Sequence, residues 1–148
     1  MDATGIYARE SAPLGRPVQI GVAAGRVIAV SFPDDVPSDA APDHPALEAI
    51  LAAVDGGPDP DVEVALTVPT DHRRLLEAVR SIPRGETVPA DSLARTAGLD
   101  PDDETDRETV AAALAENPVP ILVPDHRVSG VAGATPTAVA ERLRALES

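Results

Sequence analysis

The sequence predicts an α/β fold in two parts: a small N-terminal antiparallel sheet with one helix, then a winged helix-turn-helix half. Two observations carry this prediction. Short apolar strands joined by a glycine-bearing turn occupy the first half, and a helix, a turn, a second helix and a strand follow from Thr70 onward. At 148 residues the chain can bury a core in one domain or two small ones. We divide it into residues 1–68 and 69–148.

In the N-terminal part, β-branched residues and turn signals mark the strands. The predicted strands span residues 4–10, 16–22, 27–32 and 62–68, and the second and third join at Ala24-Gly25-Arg26 as a hairpin. The Pro- and Asp-rich residues 33–45 predict a loop. Residues 46–54 have helical spacing, with Leu47, Ile50, Leu51 and Val54 on one face, and Gly56 ends the helix.

The C-terminal part alternates helices with turns. A helix runs to Arg80 with Thr70 or Asp71 as its cap and with Leu75, Leu76 and Val79 facing inward. The next helices are predicted over residues 90–97, 106–116 and 136–147, and a strand over 121–123. Helix, turn and second helix before a strand are typical of a winged helix-turn-helix.

The charge and composition are unusual. The net charge is −13, every basic residue other than histidine is arginine, and cysteine is absent. Thiolate chemistry, disulfides and thiolate metal sites are therefore excluded. The composition resembles that of salt-adapted proteins of halophilic archaea, so the acidity can serve solvation in molar salt or can keep polyanions away. With no signal peptide or apolar span in the sequence, we expect a soluble, cytoplasmic protein that does not bind membranes.

Residues 117–128 read NPVPILVPDHRV. This run resembles the active-site motif of the DNA alkyltransferases, N-P-x-P-[IL]-[ILV]-[IVL]-P-C-H-R-V, whose cysteine accepts an alkyl group from guanine. Asp125 stands at the cysteine position. The resemblance implies that His126, Glu147 and Asn117 match the histidine, the glutamate that orients it and the asparagine that holds the turn. The His126–Glu147 pair could be a working network or an idle one.

The resemblance covers residues 70–148 and also implies DNA-contacting positions. Ala90 replaces the family's phosphate-binding tyrosine, and Glu108 replaces its intercalating arginine. Arg107, about 100° away around the helix, could substitute only if the helix is rotated or the alignment slips by one residue. Arg127 is a further DNA-binding candidate, although Arg127 and Asn117 can equally satisfy buried groups. The loop 131–135, after Gly130, is shorter than the family's and has no aromatic residue.

Three hypotheses follow from the resemblance. The first is a degenerate relative that no longer alkylates itself and has lost or weakened DNA binding. It is favoured by Ala90, by Glu108 and by a net charge of −6 over residues 84–127. The second is a non-catalytic protein that binds alkylated DNA and flags it for repair, which the retained Asn117, His126, Arg127 and Glu147 favour.

The third hypothesis is an enzyme that uses the Asp125 carboxylate as nucleophile, which is chemically weaker than a thiolate. We expect no enzymatic activity and no cofactor. Asp125, His126 and Glu147 lack the spacing of a metal site. The candidate partners are alkylated double-stranded DNA and a repair protein. The resemblance also implies a ribonuclease-H-like N-terminal domain.

Overall fold

The computed structural model describes residues 5–147 and divides the chain into two compact units, residues 1–66 and 67–148. The first unit contains β1 (Gly5–Ser11), β2 (Arg16–Ala23), β3 (Arg26–Ser31) and α1 (Pro45–Val54). The second contains α2 (Thr70–Arg80), β4 (Val88–Pro89), α3 (Ala90–Thr96), α4 (Glu104–Ala115), a 3-10 turn (Asp125–Arg127), β5 (Val128–Ser129) and α5 (Thr137–Glu147). This confirms the predicted α/β class.

The three strands of the first unit form an antiparallel sheet in the order β1-β2-β3. The hairpin between β2 and β3 turns at Ala24 and Gly25, whose φ angles of 53° and 77° suit the right-handed twist of the strands. The central strand buries Val18, Ile20 and Val22, and α1 packs against this strand. The first three predicted strands and the helix are confirmed, except that Thr4 lies outside the described residues.

The predicted strand over residues 62–68 is wrong. In the structure this segment makes one isolated parallel bridge, between Val64 and Val27 of β3. Prolines at 58, 60 and 69 flank the segment and supply no N–H donor, so pairing with β3 cannot continue through these positions.

The helices of the second unit lie close to the predicted ranges, but their caps differ. Pro69 precedes α2 in an extended conformation and no side chain caps it, so the predicted Thr70 or Asp71 cap is wrong. Asp103 caps α4 by accepting a hydrogen bond from the Asp106 backbone N–H, which starts this helix earlier than predicted. The buried Leu75, Leu76 and Val79 face inward as expected, and α2 packs on α4.

The predicted strand over residues 121–123 is also wrong. The chain turns instead, since the Val123 N–H donates to the Val119 carbonyl and Ile121 adopts a φ of 75°. Prolines at 118, 120 and 124 remove three backbone donors, which prevents a ladder. Val88 and Pro89 of β4 pair in parallel with Val128 and Ser129 of β5, and this brings the start of α3 beside Gly130. The wing stays a prediction, because this pair is two residues long.

No helix within residues 5–147 is both long enough and apolar enough to cross a membrane.

Candidate functional site

Asn117, which follows α4, holds the turn that carries the motif. Its side-chain amide donates to the Val123 carbonyl at 3.0 Å and to Asp125 Oδ2 at 2.9 Å. The side-chain oxygen of Asn117, Oδ1, accepts from the Val119 N–H at 3.1 Å. The side chain is buried, so these bonds satisfy groups that water cannot reach. Asn117 thus bonds to Val119, Val123 and Asp125 across the turn, and its part in the family's site stays a prediction.

The Asp125 carboxylate lies under the loop that follows Gly130. Asp125 is 2% exposed, and its Oδ2 accepts from Asn117, from the Ala134 N–H at 3.0 Å and from the Thr135 N–H at 3.3 Å. Gly133 packs directly on the side chain, because a Cβ added there would lie 2.6 Å from Asp125 Cβ and 2.7 Å from Oδ1. The carboxylate therefore holds the loop 130–135 against the motif by hydrogen bonds to two of its amides.

Glu147, at the end of α5, joins His126 and Arg127 in one buried network. Its Oε2 lies 2.8 Å from His126 Nε2 and 2.9 Å from an Arg127 terminal nitrogen, and its Oε1 accepts from Arg127 Nε at 3.0 Å. The side chains of His126 and Arg127 are 1% and 5% exposed. With Glu147 ionised, His126 Nε2 must carry the proton that is shared with it. Within residues 5–147, the buried Nδ1 of His126 has no hydrogen-bond partner.

Further bonds tie the network to the rest of the second unit. Arg127 donates to the Ile82 carbonyl at 2.8 Å, and Arg144 of α5 donates to the His126 carbonyl at 2.8 Å. Arg127 was a DNA-binding candidate in the sequence. The structure instead buries its guanidinium between Glu147 and Ile82, where it cannot reach a phosphate, and this corrects that expectation.

The electrostatics of the network act on Glu147. Burial alone raises the pKa of this carboxyl group, but hydrogen bonds from His126 and Arg127 and the charges of both residues outweigh burial and lower the pKa to about 2. The folded protein therefore prefers the ionised carboxylate far more strongly than the unfolded chain does.

We expect acid to weaken the fold through this group. Because the folded pKa is depressed from 4.5 to about 2, the contribution is complete above pH 4.5 and is lost as the pH falls toward 2, to a total of about 3 kcal/mol. Urea unfolding of the wild type and of Glu147→Gln across this window measures it. The other carboxyl groups titrate in both proteins, so their contributions cancel when the two are compared. The difference in unfolding free energy between the wild type and Glu147→Gln should therefore shrink as the pH falls. A constant difference would contradict the assignment.

The other expected DNA-contacting positions lie together elsewhere in this unit. Ala90, Arg107 and Glu108 all line one open cavity of about 780 Å³ between α3, α4 and β5. Arg107 and Glu108 thus reach the same cavity although they are neighbours along α4. Asp125 is not among the lining residues. The structure therefore separates the buried motif from the surface on which the DNA-contacting positions lie.

Sequence reasoning missed several groups of the site. The Ala134 and Thr135 amides and the Ile82 carbonyl are backbone groups, which leave no signature in the residue types. Gly133 offered a signal, since a glycine in a loop without other constraints often marks close approach of the backbone to another group. Within residues 5–147, no group of His, Asp and Glu side chains could hold a metal ion.

Residues 71–147 match the family profile described as 6-O-methylguanine DNA methyltransferase, DNA binding domain. Two relatives named methylated-DNA–protein-cysteine methyltransferase are similar. The one from Methanothermobacter thermautotrophicus is 40% identical over 78 residues, which are 51% of this chain and 41% of the relative. The one from Methanopyrus kandleri is 38% identical over 73 residues, 49% of this chain and 51% of the relative. The match thus spans about half the length of these relatives.

Solved structures agree on the fold. The crystal structure of Mycobacterium tuberculosis OGT in complex with DNA superposes with a TM-score of 0.73 at 26% identity, covering 95% of this chain and 89% of that one. The O6-methylguanine-DNA methyltransferase of Pyrococcus kodakaraensis superposes with a TM-score of 0.68 at 21% identity, covering 97% and 99%.

Proposed function

The chain belongs to the 6-O-methylguanine DNA methyltransferase family, and we propose that it is a degenerate member that does not alkylate itself and whose DNA binding is weakened or lost. The observation that carries this proposal is Asp125. By the motif resemblance it stands where the family has its acceptor cysteine, the chain has no cysteine, and its carboxylate is a buried hydrogen-bond acceptor.

The surroundings of Asp125 also argue against the carboxylate as an alkyl acceptor. A displacement at a methyl carbon needs an oxygen lone pair that the carbon can approach in line. Oδ2 already accepts three N–H groups, and Gly133 covers the side chain on the Oδ1 side. A hydrogen-bonded carboxylate is also a weaker nucleophile than a thiolate, so ester formation at Asp125 has neither the access nor the reactivity it needs.

The surface positions support weakened DNA binding. Ala90 offers no hydroxyl to a phosphate, and Glu108 places a negative charge on the surface where the resemblance implies an arginine. Arg107 is the only basic residue among the residues that line the cavity. Since proteins bind duplexes chiefly by neutralising phosphates, this surface lacks the main source of affinity.

Self-alkylation is tested by mass. After incubation with a duplex containing O6-methylguanine, the intact protein should show no added methyl group and the lesion should persist in the DNA. The Methanothermobacter thermautotrophicus relative, assayed in parallel, is the positive control. A stable gain of one methyl group, or repeated removal of the lesion by one protein molecule, would support the carboxylate mechanism and overturn the proposal.

A second candidate function is a non-catalytic protein that binds alkylated DNA and presents it to a repair protein. The preserved fold favours it, and so does the open cavity beside Ala90, because the cavity has room for a displaced base. Binding to methylated and unmodified duplexes, measured from about 0.15 M salt to molar salt, separates the two functions. Tighter binding to the methylated duplex at any salt would select this second function, and equal, weak binding to both duplexes would select the first.

A further inference from the structure

The cavity between α3, α4 and β5 has a mixed lining, and we name it the acidic groove. Its apolar part includes Ala94, Val110 and Val131. Its charged part consists of the carboxylates of Asp91, Asp102, Glu104 and Glu108, with Arg107 as the one cation. Four negative charges therefore face one positive charge around an apolar floor.

The four carboxylates of the acidic groove differ from their sequence neighbours in their bonding, although Asp91 and Glu104 also lie in the first turns of α3 and α4, where the helix N-terminus favours a negative charge. The side chains of Asp100, Asp103 and Asp106, which lie beside them in sequence, each accept a backbone N–H near the start of α4. By contrast, no hydrogen bond or ion pair engages the side chains of Asp91, Asp102, Glu104 and Glu108 among residues 5–147. Among the carboxylates of residues 91–108, those without a hydrogen bond or ion pair are thus the ones that line the groove.

Two of these residues lie on α4 in an unfavourable arrangement. Glu104 and Glu108 are four residues apart, so they share one helix face, and like charges at this spacing destabilise a helix. Glu104 lies in the first turn of α4 and is favoured by the helix dipole, whereas Glu108 lies beyond that turn and is not. An external cation between the two carboxylates would relieve this repulsion.

We infer that the acidic groove is a docking site for an arginine-rich, extended segment of a partner protein. Guanidinium groups would pair with the rim carboxylates, while the aliphatic stems of the arginines would pack on Ala94, Val110 and Val131. A duplex is disfavoured by the same charges. The inference rests on the proposed function, because it requires that the surface no longer serves DNA.

The test uses the full-length protein and a labelled peptide of alternating arginine and alanine. We expect binding that weakens with added salt, and no binding of a peptide in which citrulline, a neutral analogue of the same shape, replaces arginine. The double variant Glu104→Gln, Glu108→Gln should bind the arginine peptide about fivefold more weakly. Its stability should stay close to that of the wild type, because removing the repulsion between the two side chains offsets the lost interaction of Glu104 with the helix N-terminus.

The matched control is Glu116→Gln, Glu141→Gln, which changes the net charge equally at exposed positions outside the groove. This variant should bind the peptide as the wild type does. Equal weakening by both double variants would reduce the effect to overall charge and overturn the inference. The inference would also be overturned if the arginine peptide did not bind, or if the citrulline peptide bound equally well. Full competition by spermine, a polyamine cation that is not a peptide, would overturn it as well.

Failure of the peptide test and failure of the proposed function give different results. A peptide that does not bind leaves the mass and duplex assays unaffected. Conversely, a methyl adduct or tight duplex binding would overturn the proposed function and, with it, the premise on which the docking site rests.

Discussion

Replacing Arg127 with methionine should lower the free energy of unfolding by about 3–5 kcal/mol, because it leaves a buried carboxylate without its main partner. Methionine keeps most of the volume of the side chain, so the effect comes from charge and hydrogen bonding. Glu147 would lose two hydrogen bonds and the Ile82 carbonyl would lose its donor. Urea unfolding at neutral pH measures the loss.

The matched control is Arg95→Met on α3, where the arginine is exposed and is not part of the network. This change should stay within about 0.5 kcal/mol of the wild type. A second variant tests the cause. Adding Glu147→Gln to Arg127→Met removes the uncompensated charge and should recover part of the stability. If Arg127→Met cost less than about 1 kcal/mol, the network would not be buried as the structure has it.

The elements of the fold were predictable where local pattern alone decides them. The alternation in β2 and the Ala24-Gly25 turn determine the hairpin, and the spacing of Leu75, Leu76 and Val79 determines α2. The predictions over 62–68 and 121–123 failed for one physical reason. Apolar residues suggested strands at both places, but prolines border each segment and supply no backbone donor with which a ladder could continue.

The candidate site was predictable only in part. His126 and Glu147 are 21 residues apart, and no periodicity pairs them, so the resemblance to a family was needed to bring them together. The structure places His126 Nε2 at 2.8 Å from Glu147 Oε2. The resemblance did not indicate that Asp125 would be closed off. That closure depends on the Ala134 and Thr135 amides, which any residue types could supply.

The largest effect on chemistry concerns Asp125→Cys, which places a cysteine where the motif resemblance puts the family's acceptor and should still give no alkyl transfer. His126 and Glu147 remain to activate a thiolate. Two separate obstacles should remain as well. Asp125→Cys removes the carboxylate that accepts from the loop 130–135, but Gly133 still packs against the side chain at position 125. The surface of Ala90 and Glu108 also offers a phosphate neither a hydroxyl nor a positive charge. Incubation with a methylated duplex and intact-mass measurement should show no methyl group on the variant.

The two obstacles can be separated with a thiol reagent such as Ellman's reagent, because the chain has no cysteine and each variant carries a single thiol. Ser92→Cys on α3 places that thiol at an exposed position and serves as the reference. The Asp125→Cys thiol should react about 100-fold more slowly, which corresponds to a loop opening that costs about 3 kcal/mol. If it reacted as fast as the reference, the loop would be open, and the lack of transfer would be due to the expected DNA-contacting positions alone.

If Asp125→Cys alone took up the methyl group rapidly, both the closed loop and the weakened DNA binding would be refuted, because transfer requires an accessible thiolate and a bound, flipped base together.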